Sequence, residues 1–322
     1  MKGKVRLFII VWLHFSFGIS SQARFTEPDT TANNRLLLTA STLGIGYGTS
    51  VLLLNNAWYR DFPRSEFHFF DDWSEWEKMD KFGHVFSAQF QSIYTYHLYR
   101  WSGISENKSI LYASLTSLLF QSTIEVFDGF SSEWGFSVSD CAANVIGVSL
   151  FAFQQKQWKE QRILMKLSGT KRNYSDISLK ADNGTERFLQ NKANDLFGSS
   201  WSSRLLKDYN AQTIWLSVNL KSVLQRTKSP EWLNISFGYG AENMFGGFQN
   251  SWENNGETVY LSKDVLKRYH QFYIAPDIDL TRIKVKKKGW RTVLSILNIF
   301  KFPLPAIEVN TQGKVIFHPV KF

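Results

Sequence analysis

The chain has almost no cysteine and lacks the short motifs of several enzyme classes. Its one cysteine is Cys141, so an internal disulfide and a cysteine-based zinc site are both excluded. The His-Glu-x-x-His spacing of zinc proteases is missing, and no nucleophile-elbow pattern surrounds Ser137 or Ser139. The glycines of residues 44–48 lack the preceding strand and the acidic partner of a nucleotide-binding loop, and they favour close helix packing.

The first residues resemble an export signal. Lys2 and Lys4 precede a short apolar run at residues 5–17, and small residues follow. This pattern predicts a secretory signal peptide over residues 1–23, with an uncleaved anchor helix as the alternative. No cysteine lies near the predicted cleavage site, so we expect no lipid-anchored N-terminus.

Aromatic residues and positive charge are abundant. Aromatics make up 16% of the chain and the formal net charge is +9. Export would separate the protein from nucleic acid, so nucleic acid is not the expected partner. Anionic lipid headgroups are the predicted partner, because aromatic rings and basic residues favour membrane interfaces. The mean hydropathy of -0.23 argues against a chain that is apolar throughout.

Four helical stretches are predicted between residues 36 and 155. Residues 36–54 carry no charge and are nearly long enough to cross a bilayer. Residues 80–100, 109–127 and 137–154 are also mostly apolar, but each contains polar positions. We therefore predict a mainly α protein with a membrane-associated four-helix core in residues 24–155.

The remainder of the chain is less regular. Residues 156–195 are polar and predict a connector, and residues 196–322 predict a mixed, irregular C-terminal extension. Residues 213–220 fit both a strand and a helix, whereas 232–239, 269–274 and 314–318 are strand-like. A basic run at 284–288 leads into a predicted amphipathic helix at 290–300. The terminal aromatic residue is typical of outer-membrane barrels, but too few strands are predicted for a full barrel.

Polar residues cluster at three predicted helix ends. Asp80 and His84 are four residues apart and share a helix face, and Gly83 between them suggests that another group approaches closely. The other members of this set follow on the next two helices and in the loop between them: Lys81, Glu125, Asp128, Glu133, Asp140 and Asn144. If the helices are antiparallel neighbours, these ends meet.

Three interpretations of this set remain open. The first is a buried ion-pair network that fixes helix register. The second is acid–base chemistry by His84 with Glu125 or Asp128, with Lys81 binding an anion such as a phosphate. The third is a metal site of His84 with Asp80, Glu125 and Asp140, but no ligand spacing supports it, and we assign no metal or cofactor from the sequence.

The motif DKFGH at residues 80–84, followed by EVFDGFSSEWGFSVSDCAANVIG at 125–147, resembles the YfiM-like family of uncharacterised bacterial envelope proteins. It is similar, more distantly, to the VanZ-like membrane proteins. The resemblance covers roughly residues 35–155. It implies a bacterial envelope protein on the periplasmic side, at the outer rather than the inner membrane. It marks the cluster residues as the positions that fit the family pattern.

The leading functional prediction is a membrane-associated envelope protein of unknown biochemical activity, whose helical core is organised by the polar cluster. The alternative is a membrane enzyme that acts on a lipid or cell-wall headgroup. A transporter is disfavoured, because the polar residues concentrate at helix ends and do not follow a path through the bundle.

Overall fold

The structure is a computed structural model of the chain. It describes residues 33–55, 59, 63–169, 172, 174, 178–180, 184, 186–225, 228–254, 257–260 and 266–322. The predicted signal peptide at residues 1–23 lies outside these residues.

The four predicted helices of the N-terminal half are present. They are α1 (Asn33–Leu54), α2 (Met79–Trp101), α3 (Glu106–Gly129) and α4 (Val138–Trp158). Helix α4 begins after Ser137, whose Oγ accepts a hydrogen bond from the Asp140 amide at 3.0 Å. This is the usual way in which a serine caps the free amides of a first turn. The helix ends at Lys159, which has a left-handed backbone with φ of 59°.

Helix α2 is the centre of the bundle and packs against both α3 and α4. Gly147 of α4 lies against its backbone, because a Cβ at this position would stand 2.4 Å from the carbonyl oxygen of Val85. The close approach that the sequence suggested at Gly83 is not observed, since no described atom lies within 4 Å of a Cβ built there. The close packing of α4 on α2 is therefore at Gly147, and not at Gly83.

Two of the described helices, α1 and α3, are long and apolar enough to cross a membrane by length and composition. Only 17% of the apolar window of α1 and 33% of that of α3 is buried. The two helices meet at Tyr47, whose hydroxyl lies 2.7 Å from Thr123 Oγ1. The association of these helices with a membrane stays a prediction.

The C-terminal half shows that the mainly α prediction is wrong. The longer strands described there are β1 (Ile163–Gly169), β4 (Gln212–Asn219), β5 (Leu233–Glu242), β8 (Tyr269–Ile278), β9 (Leu304–Asn310) and β10 (Val315–Lys321). They form one antiparallel sheet in the order β1-β4-β5-β8-β9-β10. The protein is therefore a mixture of α and β structure, and its C-terminal region is a regular sheet instead of an irregular extension.

The strand-like runs at 232–239, 269–274 and 314–318 are confirmed as β5, β8 and β10. The ambiguous run at 213–220 belongs to β4. Strand β1 lies inside the segment that was predicted as a connector, so the sheet begins before residue 196.

Shorter elements complete the described fold. Two hairpins are formed by β2 (Ser178–Lys180) with β3 (Glu186–Phe188), and by β6 (Ser251–Asn254) with β7 (Glu257–Tyr260). The short helices are α5 (Leu189–Phe197), α6 (Trp201–Lys207), α7 (Leu220–Leu224) and α8 (Lys288–Leu297). Helix α8 confirms the helix predicted at 290–300.

The sheet is strongly curled. The backbone of Leu167 in β1 donates to Ile299 O and accepts from Lys301 N, each at 3.0 Å, so the segment that leads into β9 pairs with the other edge of β1. Helix α2 joins the sheet through the Gln89 side chain, which donates to Ile163 O at 2.9 Å and accepts from Met165 N at 2.7 Å. The middle of α2 therefore contacts the first strand of the sheet.

Candidate functional site

Asp80 and His84 lie on one face of the first two turns of α2. His84 Nε2 is 3.8 Å from Asp80 Oδ1 and 3.8 Å from Asp140 Oδ1 at the start of α4. His84 Nδ1 lies 3.1 Å from Asn144 Oδ1, one turn further along α4. The predicted meeting of α2 and α4 residues is therefore present.

Lys81 is the cation at the centre of the site. Its Nζ lies 2.7 Å from Asp140 Oδ1, 2.8 Å from Asp72 Oδ2 and 3.1 Å from Asp80 Oδ2. The side chain is only 7% exposed. An ammonium group has three protons to donate, so three carboxylates already use them, and an anion could bind Lys81 only by displacing one.

Asp72 was not among the residues predicted for the site. The loop that carries it runs along the connection between α3 and α4, with Phe70 N donating to Phe136 O at 3.1 Å. Ser137 and Ser139 both donate to Asp72 Oδ1, at 2.6 and 2.7 Å. Burial acts to raise the pKa of Asp72, but hydrogen bonds from Asp140, Lys81 and the two serines outweigh it and hold the pKa at about 2.

Glu125 reaches the same place from α3. Its Oε1 lies 3.8 Å from His84 Nδ1, and the residue is 1% exposed. Neither of its carboxylate oxygens has a hydrogen-bond partner among the residues that the structure describes. An unpaired buried carboxylate is costly. Burial accordingly raises the pKa of Glu125 to about 8, although the charge of His84 acts to lower it.

The surplus of negative charge dominates the electrostatics. Burial lowers the pKa of His84, but the charges of Asp80, Asp140 and Glu125 outweigh it and raise the pKa to about 9. Burial also raises the pKa of Asp140, and the charge of Asp80 adds to this increase. Burial and the neighbouring charges of Asp80 and Asp72 raise the pKa of Glu75, in the loop before α2, to about 7. The site therefore favours bound positive charge.

The remaining predicted residues lie at the margin or outside. Asp128 is at the end of α3, where the Tyr59 hydroxyl donates to its Oδ1 at 2.8 Å. Glu133 is exposed on the loop between α3 and α4, and the structure does not bring it into the cluster. The roles predicted for these residues stay predictions.

Tyr209, from the C-terminal half, was also missed. Its hydroxyl donates to Asp80 Oδ1 at 3.0 Å and ties the cluster to the short turn before β4. Nothing in the local sequence pattern of Tyr209 points to α2, because the contact joins residues 129 positions apart. Only a weak indication of Asp72 is present in the sequence, namely its position shortly before α2, the helix that carries Asp80 and His84.

Access to the site is limited to one side. The side chains of Lys81, Asp140 and Glu125 are 7%, 6% and 1% exposed, whereas those of His84 and Asp80 are 15% and 23% exposed. Solvent or a small ligand therefore reaches the cluster at Asp80 and His84, and not at Glu125.

Residues 68–156 match the model of a family described as "Predicted periplasmic lipoprotein (DUF2279)". No curated protein and no solved structure matches the chain. The matched segment contains every cluster residue from Asp72 to Asn144, whereas Tyr59 and Tyr209 lie outside it. The match supports a periplasmic location in the cell envelope and assigns no activity.

Proposed function

We propose that the protein is a membrane-associated component of the cell envelope that turns one face of its sheet towards lipid, while the polar cluster holds its helical core together. The observation that carries this proposal is the polarity of the sheet, whose apolar side chains face outwards and whose polar side chains are buried. The YfiM-like resemblance and the outer-membrane location predicted from the sequence belong to the same proposal.

The exposed face of the sheet is apolar across five neighbouring strands. Its exposed fractions run from 37% for Leu216 to 72% for Val315. The register aligns these residues across the strands. They are Leu216, Phe237, Phe272, Ile274, Ile307, Val309, Val315 and Phe317. A continuous apolar surface of this kind is unusual for a protein in water.

The opposite face is buried and mostly polar, around a small apolar cluster of Trp215, Tyr273, Ala275 and Ala306. Lys166 and Asp277 have fully buried side chains and form an ion pair of 2.8 Å. Ser217 donates to the same carboxylate at 2.7 Å, and Ser236 is also completely buried. A sheet in water has the reverse arrangement, whereas strands in contact with lipid alternate apolar-out and polar-in.

A basic amphipathic segment lies beside this sheet. Lys284, Lys286 and Lys287 precede α8, and the helix exposes Trp290 to 60% and Leu297 to 47%. Basic residues next to exposed aromatic and aliphatic side chains are typical of segments that lie on an anionic membrane surface. This segment supports the predicted contact with anionic headgroups.

The cluster supports the second part of the proposal. Lys81 joins carboxylates from the loop before α2, from α2 itself and from α4, and Tyr209 adds the C-terminal half. Because every partner comes from a different segment of the chain, loss of Lys81 would free all of them together. Such a junction fixes which helix faces turn inwards and hence which faces are available to lipid.

Flotation on phosphatidylcholine vesicles tests the proposal. The purified chain is expected to float with the vesicles and to stay bound after a high-salt wash, because the contact is apolar. Phe272→Arg places a charge in the centre of the apolar face and should reduce partitioning about tenfold or more. Gln312→Arg adds the same charge in the exposed turn before β10 and should leave partitioning unchanged.

Two outcomes would overturn the proposal. One is a chain that stays at the bottom of the gradient while circular dichroism shows that it is folded. The other is equal flotation of Phe272→Arg and Gln312→Arg.

Acid–base catalysis is a second candidate function, and one observation favours it. Glu125 lies 3.8 Å from His84 without a hydrogen-bond partner among the described residues, and His84 is reached from the side of Asp80. A substrate headgroup at that side would meet the imidazole. Hydrolysis of lipid or cell-wall headgroups that is lost in His84→Gln, while the thermal transition stays unchanged, would support this candidate.

A further inference from the structure

We propose that Asp80, His84 and Asp140 bind a divalent transition-metal ion at the side of the cluster that solvent reaches. One carboxylate oxygen of Asp80, one of Asp140 and one ring nitrogen of His84 lie within 4.8 Å of one another, and His84 Nε2 faces Asp80 Oδ1 and Asp140 Oδ1. The inference rests on the geometry and charge of these residues and does not depend on contact with lipid.

The spacing of the three atoms fits a shared ion. His84 Nε2 is 3.8 Å from each of the two oxygens, which is too long for a hydrogen bond. A point equidistant from three atoms 3.8 Å apart lies about 2.2 Å from each, and about 2.5 Å when one side is longer. These distances are close to those of zinc and other divalent ions bound to nitrogen and oxygen ligands.

The hydrogen bond on the other side of the imidazole orients it for this role. Asn144 Oδ1 faces His84 Nδ1 at 3.1 Å, and an amide oxygen can only accept, so Nδ1 carries the proton. The Nε2 edge then faces two carboxylate oxygens. Without a metal ion, a proton on Nε2 offsets these oxygens, and a bound metal ion would take the place of that proton.

The buried carboxyl group of Glu125 provides an independent observation. Both of its oxygens lack a hydrogen-bond partner among the described residues, and Oε1 lies 3.8 Å from His84 Nδ1. Asp140 Oδ1 differs, because the Lys81 ammonium group meets it at 2.7 Å. Buried polar atoms without partners are rare in folded proteins, so Glu125 indicates that the site accommodates a further cation.

The charge count leads to the same conclusion. Five carboxylates surround the site, from Asp72, Asp80, Glu125, Asp128 and Asp140, and the cationic side chains that face them are Lys81 and His84. Lys81 meets Asp80 Oδ2, and Asp80 Oδ1 faces His84 and accepts from the Tyr209 hydroxyl. Burial raises the pKa of Glu125 to about 8 and that of Asp128 to about 6, and a divalent ion would favour the ionised form of the surrounding carboxyl groups.

One nitrogen and two carboxylate oxygens favour ions such as Zn²⁺ or Mn²⁺, which accept both donor types, over Ca²⁺, which prefers oxygen alone. The full chain in detergent, stripped with EDTA, is titrated calorimetrically with ZnCl₂ and with MnCl₂. We expect one ion of at least one of the two metals to bind per chain. His84→Gln and Asp140→Asn should each weaken binding about tenfold to a hundredfold.

The matched control is His270→Gln, which removes an exposed histidine that contacts Glu77 outside the cluster. It should bind the ion with unchanged affinity. Absence of saturable binding of both ions would overturn the proposal, and so would equal affinity in the wild type and in both cluster variants.

A spectroscopic measurement on the unaltered chain covers the case in which the cluster variants do not fold. Manganese added at one equivalent is examined by electron spin-echo envelope modulation. Modulation from a directly bound histidine nitrogen is expected. A spectrum without nitrogen modulation would overturn the assignment of His84 as a ligand.

Discussion

Two buried lysines, Lys166 in the sheet and Lys81 in the bundle, meet their partners in opposite ways. Lys166 is fully buried and pairs with one carboxylate, Asp277, at 2.8 Å, and it also donates to Ile278 O. Asp277 accepts further bonds from Ser217 and from the Phe302 amide. Lys81 instead faces three carboxylates, with two more nearby.

This difference indicates that the sheet pair is structural, whereas the cluster in the bundle could bind a further cation. In the sheet the two charges cancel and both side chains have further hydrogen-bond partners, so the pair needs nothing else. In the bundle the carboxylates outnumber the cations, and Glu125 has no described partner. Unbalanced buried charge of this kind is retained at functional sites more often than at purely structural ones.

The largest predicted effect is at the sheet pair. Asp277→Ala leaves Lys166 as an uncompensated charge in a fully buried place, and it should lower the free energy of unfolding by about 3–5 kcal/mol. Urea or thermal unfolding in detergent measures this loss. The double variant Lys166→Met/Asp277→Leu removes both charges and should be closer to the wild type. A double variant as unstable as Asp277→Ala would contradict the account of a balanced pair.

A smaller effect is expected where α4 meets α2, the packing that brings Asp140 to His84. Gly147→Ala places a Cβ against a backbone carbonyl oxygen 2.4 Å away. The variant should lower the free energy of unfolding by about 1–3 kcal/mol. Gly83→Ala is the matched control, because no described atom lies within 4 Å of its Cβ. It should stabilise α2 by up to about 1 kcal/mol. Chemical denaturation distinguishes the two, and equal effects would refute the assigned packing.

The sequence predicted the bundle well and the sheet poorly. Helices α2, α3 and α4 had long apolar patterns with polar residues at their ends, so both the helices and the meeting of Asp80, His84, Glu125 and Asp140 could be expected. Strand β1 lies in a polar segment, and its pairing with β4 joins residues about 50 positions apart, which local patterns do not show.

Residues 213–220 fitted both a strand and a helix, because the apolar residues from Leu216 to Leu224 also have helical spacing. Both elements are present, since β4 ends at Asn219 and α7 spans Leu220–Leu224. Asp72 and Tyr209 were missed for a different reason, because each joins the cluster through tertiary contacts between distant segments.

Glu125→Gln tests whether the cluster holds surplus charge. The substitution keeps the size of a side chain that is 1% exposed and removes an unpaired carboxyl group whose pKa burial raises to about 8. The free energy of unfolding in the metal-free protein should stay unchanged or rise by about 1 kcal/mol. Asp128→Asn is the comparison, because Asp128 accepts a hydrogen bond from the Tyr59 hydroxyl. This variant should lower the free energy of unfolding by about 1 kcal/mol. A clear loss in Glu125→Gln would mean that this carboxylate is paired after all.

The smallest effect concerns pH at the other end of α2. Burial lowers the pKa of His97 from its ordinary value of 6.5 to about 4. Between these values the unfolded chain binds a proton that the folded chain does not, so stability is complete above pH 6.5 and falls as the pH decreases towards 4. Thermal unfolding of wild type and His97→Phe over this range measures the effect. The variant should show a flatter pH dependence, and identical curves would contradict the assignment.

The most direct test of the lipid-facing sheet is the environment of Phe272. A nitroxide label on Phe272→Cys, in a Cys141→Ser background, is compared with a label on Gln312→Cys after reconstitution into phosphatidylcholine bilayers. We predict that oxygen, which concentrates in lipid, relaxes the label at Phe272 strongly and that a water-soluble nickel chelate does not, with the reverse at Gln312. Strong relaxation by the nickel chelate at both positions would show that the apolar face is in water and would contradict the proposed function.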